Sequence, residues 1–214
     1  MSKILEKLET FRGYLKTQNL DSLEMSLSDV HSPGLFSLVI AGTEPGKLTR
    51  VFIATEDIDQ YSVQLHSHRY PIKLTALKGT IGHTHVEDQI IGIHEHGRTV
   101  PGYMLMSRFT YKSPLNGGAG LAFDADVQVQ TKEYVLPVGS MVYMDEKHVH
   151  TVCCLAGAIW VVEEQGFKTD ESTVLGVPFT VDGLYNKPQQ FQINDMCQTV
   201  LRQLNYLINQ YKSV

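Results

Sequence analysis

Ile4, Leu5, Leu8, Phe11 and Leu15 recur at three- and four-residue intervals near the start of the chain, while Lys3, Glu6, Lys7 and Glu9 fill the other side. That is the α-helical period, and it predicts an amphipathic helix within residues 1–20. The end of the chain repeats the pattern. Met196, Cys197, Val200, Leu201, Leu204, Ile208 and Tyr211 form an apolar stripe behind Asn194 or Asp195 as N-cap, predicting a second helix over residues 192–212. Each helix has one apolar stripe, so each must cover something.

Between them the period shortens. Phe36–Ile40, Val51–Thr55, Tyr103–Tyr111, Val127–Val135 and Ala158–Glu163 are short runs rich in Val, Ile, Tyr, Phe and Thr, separated by Gly, Pro, Asn and Asp. They predict an all-β sandwich or barrel over residues 35–180. Trp160, Val161 and Val162 read as a buried strand, with Glu163 and Glu164 solvated at its end. The tract Ser113–Gly120 reads as a flexible connection, and Thr180–Gln190 as an irregular approach to the last helix. Nothing in the 214 residues reads as an interdomain linker, and no repeat of fixed period is present, so a single domain is expected over 1–214.

Composition narrows the partners. With 18 Lys and Arg against 23 Asp and Glu, and the basic residues scattered, neither nucleic acid nor an anionic membrane is expected to bind. The N-terminal segment interleaves charge with apolar residues, unlike a secretory signal, and no run approaches the ~18 apolar residues of a membrane span. Three cysteines, Cys153, Cys154 and Cys197, two of them adjacent, fit a reducing cytoplasm better than a disulfide framework.

The chemistry is in the histidines. Eight of nine fall into His-x-His pairs: His66/His68, His83/His85, His94/His96 and His148/His150. Residues i and i+2 of a strand share a face, so each pair presents two imidazoles to one side of a sheet. Metal sites in β-barrels are built this way.

The tract LHSHRYPIKLTALKG, residues 65–79, resembles the first motif of the cupin superfamily, in which a glycine precedes His-x-His, usually a glutamate follows, and a glycine closes the motif six residues further on. His66, His68 and Gly79 fit it, whereas the opening glycine is missing from the neighbourhood of Gln60 and Tyr61. LPVGSMVYMDEKHVHTV, residues 136–152, resembles the second motif: Pro137 and Gly139 match its turn, and spacing from Gly139 selects His150, with His148 as runner-up. The resemblance spans about residues 60–165 and is tightest to small uncharacterised cupins of phages and bacteria. It implies a single cupin jelly-roll barrel, an all-β fold with flanking N- and C-terminal helices, and a metal held by His66, His68 and His150.

The family's glutamate is absent. The positions that could carry it are Ile72 and Lys73, neither of them a carboxylate ligand. Three imidazoles with open positions suit Fe(II), Zn, Ni, Cu or Mn. Cupins with such a site resemble the thiol and diketone-cleaving dioxygenases, so Fe(II) is the favoured cofactor. A neutral ligand set leaves the ion more positive and favours an anionic small-molecule substrate.

His83 and His85 lie on the next strand, either inward as a fourth ligand, second-layer donor or general base, or outward as surface residues; parity leaves this open, because Ile81 shares their face and Val86 takes the other. Tyr70 shares the parity of His66 and His68, so its phenol could donate to a bound substrate. Core packing is the plainer reading for it. Lys73 has the opposite parity and is expected in solvent. Cys154 has the parity of His150 but reads first as a small buried residue. His94/His96 read as a surface loop, and His31, beside Ser32-Pro33-Gly34, as a turn residue.

The leading expectation is a mononuclear metal-dependent enzyme, a non-haem iron dioxygenase acting on a small anionic metabolite, with Tyr70, His83 and His85 assisting. Two others stand beside it: a non-oxidative lyase, isomerase or hydrolase using the metal as a Lewis acid, and a small-molecule-binding module without chemistry. Cupins often pair through their sheets, so a homodimer is the assembly the resemblance implies.

Overall fold

The computed structural model describes residues 2–17, 25–59, 63–92, 99–112, 118, 120–176, 189–191 and 195–212. It is an all-β jelly roll with a helix at each end. Among the described residues, thirteen antiparallel strands divide into two layers. A seven-stranded sheet runs β13 (Gln189–Gln190), β1 (Leu27–Ser28), β2 (Leu35–Ala41), β3 (Thr49–Ala54), β11 (Ile159–Glu164), β5 (Ile72–Lys78), β9 (Met141–Met144). A closed barrel runs β10 (His150–Cys154), β4 (Leu65–His66), β12 (Glu171–Gly176), β7 (Met104–Lys112), β8 (Gly120–Leu136), β6 (Ile81–Ile91).

The two terminal helices explain why β2 and β11 read as continuous apolar runs rather than alternating ones. α1 (Ser2–Thr17) and α2 (Asp195–Lys212) pack on one face of the seven-stranded sheet. Ile4, Leu8 and Phe11 from α1 and Val200, Leu204 and Ile208 from α2 meet Phe36, Leu38, Ile40, Val51, Ile53, Ile159 and Val161. The alternate residues, among them Leu35, Leu74, Ala76, Trp160 and Val162, face the other way into a second cluster. A sheet covered on both sides has no polar face to alternate with. Each fully buried Leu or Ile of this set stabilises the fold by roughly 1.5–3 kcal/mol.

Two glycines mark where the chain changes layer or direction. Gly79, at φ 73°, turns β5 of the sheet into β6 of the barrel, and a Cβ there would lie 3.2 Å from Cα of Ala158. Gly139, at φ 89°, sits in the turn between β8 and β9, where Ser140 N–H donates to the carbonyl of Pro137 at 3.0 Å. Both backbones need the left-handed region that glycine enters without strain.

Glu164 corrects the sequence reading. It is buried rather than solvated: Oε2 accepts from Gly46 N at 2.8 Å and Leu48 N at 3.1 Å, and Oε1 from Arg50 Nε at 2.9 Å and the Tyr70 hydroxyl at 3.0 Å. Glu163, on the opposite face, pairs with Lys73 at 2.9 Å. Lys73 is thus half-buried in an ion pair, not free in solvent. No helix of the described residues is long and apolar enough to cross a membrane. His94 and His96 lie outside the described residues, as do most of Ser113–Gly120 and Thr180–Gln190.

Candidate metal centre

Strand pairing gathers the histidines. His150 is directly opposite His66 across β10 and β4, and directly opposite His85 across β10 and β6, with Val152 opposite His83. Directly opposed residues of antiparallel strands share a face. His66, His83, His85 and His150 therefore project from one side of the barrel wall. His68 reaches the same place from the turn after β4. That turn is pinned on both sides: Ser67 N–H donates to the Thr173 carbonyl and Ser67 Oγ accepts from Thr173 N, both at 2.9 Å, while the Arg69 carbonyl accepts from Lys168 N at 2.9 Å.

One nitrogen from each of His66, His68 and His150 falls within 4.8 Å of the others, and no carboxylate or thiol joins them among the described residues. Their ring centroids are 5.0, 5.1 and 5.3 Å apart. His68 Nε2 and His150 Nε2 are 2.9 Å apart. His66, His68 and His150 would hold a metal ion there through one ring nitrogen each.

Proton placement suits the same purpose. His66 Nδ1 lies 2.7 Å from the Gln64 carbonyl, which can only accept, so Nδ1 carries the proton and Nε2 keeps its lone pair. His150 Nδ1 lies 3.1 Å from His83 Nε2. With His150 donating through that bond, its Nε2 lone pair turns to His68.

The rings are held neutral. Burial first, and then the surrounding imidazoles, pushes His68 and His150 well below the ordinary histidine value. The same causes bring His83 down to about 4. Burial also lowers His66, partly offset by its bond to Gln64, and lowers His148. Neutral imidazole is the form that binds metal.

The sign for stability follows from those shifts. Depressed imidazoles bind fewer protons folded than unfolded, so their contribution is complete above about pH 6.5 and is lost as pH falls below it. The metal-free protein is therefore expected to be less stable at about pH 5.5 than at about pH 7.5, with His83 alone contributing on the order of 1 kcal/mol of the loss. Urea unfolding at the two pH values checks this; equal stability at both would contradict it.

The other expected residues fall as follows. His83 is buried and bonded to His150, which places it behind that ring. His85 is half-buried, its ring 5.0 Å from His148 and stacked at 5.2 Å on Tyr134. The Tyr70 ring lies 6.1 Å from that of His68, but its hydroxyl donates to Glu164 and is held protonated by burial and that carboxylate's charge. Ile72 is in the core, so no side chain replaces the missing glutamate there. Cys154 is also in the core, its thiol pushed up to about 12 by burial. His31 is a turn residue with φ 66°, as its neighbours imply, yet its ring stacks on His66 at 4.7 Å. Nothing local in the sequence signals that contact. A cavity of about 540 Å³ is lined by Arg69, Phe167, Lys168, Thr169 and Asp170, with no histidine in its wall.

No protein-family model matches the sequence, and no curated protein matches it. Among solved structures, the chain is similar to the hydroxypropylphosphonic acid epoxidase of S. wedmorenis at 12% identity and TM-score 0.37, covering 67% of this chain and 56% of that one. It is also similar to the hydroquinone 1,2-dioxygenase of Sphingomonas sp. TTNP3 at 13% identity and TM-score 0.34, covering 62% and 67%. A third likeness is to Drosophila melanogaster CENP-C bound to CAL1, at 10% identity and TM-score 0.34, covering 70% and 78%. The chain spans little more than half the length of the epoxidase. These likenesses are remote and include a protein crystallised with a protein partner, so the chemistry rests on the residues of this site.

Proposed function

We propose that this chain is a mononuclear metal-dependent enzyme of the cupin type, a non-haem iron dioxygenase acting on a small anionic metabolite. The observation that carries the reading is the trio of His66, His68 and His150, drawn together from two strands and a pinned turn, neutral, and without a carboxylate among the described residues. A metal ion bound there would supply Lewis acidity and, as iron, electron transfer.

The chain's own contribution is orientation and dryness. Gln64 holds the His66 ring by its Nδ1 proton, and His83 faces Nδ1 of His150. Partners behind ligating histidines fix ring orientation and raise ligand basicity. Three uncharged ligands add no negative charge of their own, so an anionic thiolate or enolate is the substrate class best matched to the ion. Tyr70 is spent on Glu164, and its part is to pack beside the His68 turn rather than to move a proton.

The donor set also suits zinc, which supports a non-oxidative Lewis-acid enzyme as the second reading. Oxygen uptake separates the two. Fe(II)-loaded protein given a panel of small thiols and β-diketones is expected to consume dioxygen in step with substrate loss. Turnover that proceeds equally without oxygen would replace the oxygenase with the Lewis-acid reading.

A further inference from the structure

The barrel face carries a second group of imidazoles, beyond His150. His85 and His148 have ring centroids 5.0 Å apart, the spacing of His66 and His68 in the first centre. Nε2 of His148 is buried and has no hydrogen-bond partner among the described residues. A buried ring nitrogen without a partner forfeits its solvation for nothing in return, and a metal ion is one group that would satisfy it. The neighbourhood is reachable: His85 stacks on Tyr134, which is 41% exposed. His83 lies 6.1 Å from both rings, and its Nε2 is already turned to His150. It separates the two groups rather than joining the outer one.

We propose that His85 and His148 hold a second transition-metal ion, distinct from the one assigned to His66, His68 and His150. Imidazole pairs select borderline ions such as Zn(II), Co(II), Ni(II) and Cu(II) over Mg(II) or Ca(II). Two imidazoles bind less tightly than three, so the outer ion fills second. The proposal uses residues the first centre does not ligate with, and it stands whether that centre runs oxidative or Lewis-acid chemistry.

Metal-stripped full-length chain titrated with Co(II), followed by calorimetry and by elemental analysis after equilibrium dialysis, tests it. Two equivalents are expected, the second at least 10-fold weaker than the first. His85→Gln and His148→Gln should each remove the second equivalent and leave the first in place, whereas His68→Ala should remove the tight one and leave the weak one. Either glutamine variant decides the matter alone, and the wild-type stoichiometry needs no variant. A single equivalent in the wild type, or a second that survives either glutamine substitution, overturns the proposal. When the single equivalent also disappears in His68→Ala, only the outer site has failed; when no equivalent binds, both have.

Discussion

His150→Ala is expected to lower affinity for the first metal equivalent by well over 100-fold and to abolish turnover with it. The ring is the hub of the site: Nε2 faces His68 at 2.9 Å, Nδ1 faces His83 at 3.1 Å, and the residue pairs with β4 on one side and β6 on the other. Removing it leaves only His66 and His68, two residues apart on one segment, and takes away the one ligand that comes from a different strand. His83→Leu should act more gently, because it touches the centre only through His150. Loss of such a supporting partner costs 10–100-fold in metal affinity or activity. The order His150→Ala, then His83→Leu, then wild type, read by competition with a chromophoric chelator, is the expected result. Equal effects of the two substitutions would mean that His83 is itself a ligand.

Glu164→Ala is expected to be strongly destabilising. The carboxylate is 1% exposed and accepts from four donors, two backbone amides, the Arg50 guanidinium and the Tyr70 hydroxyl. Breaking a buried ion pair by removing one partner costs about 3–5 kcal/mol, because the other charge stays behind unpaired. Against a typical total of about 5–15 kcal/mol, that is a large fraction. Glu164→Gln should recover only part of the loss, since the amide turns an NH2 toward donors where an oxygen stood. Because Tyr70 stands two residues from His68, the substitution should also weaken metal binding. Urea midpoints for the three proteins check the ranking, and a loss below about 1 kcal/mol, the range of exposed ion pairs, would contradict the burial described.

Much of this was legible from spacing. The three- and four-residue periods at the termini mark α1 and α2, and the distances from His66 to Gly79 and from Gly139 to His150 point to the histidines that strand pairing brings together. Local pattern failed where the deciding partner is distant along the chain. Glu164 sits at the end of β11 and reads as solvated, yet its donors come from residues 46 to 70. Burial of His83 follows from β6 lying between β10 and β8 in the closed barrel, which Ile81 and Val86 on opposite faces could not reveal. The His31 stack on His66 depends on a left-handed turn residue, which the adjacent proline and glycine mark only as a turn.

The central claim is that three imidazoles, and no protein carboxylate, hold the first metal. X-ray absorption at the metal edge, on protein loaded with less than one equivalent of Fe(II) or Co(II), reads that shell directly. The prediction is a shell fitted by three imidazole rings with light oxygen scatterers at the remaining positions, reduced by one ring in any of His66→Ala, His68→Ala or His150→Ala that still retains the ion. A spectrum unchanged by those substitutions, or one that requires sulfur, would contradict it.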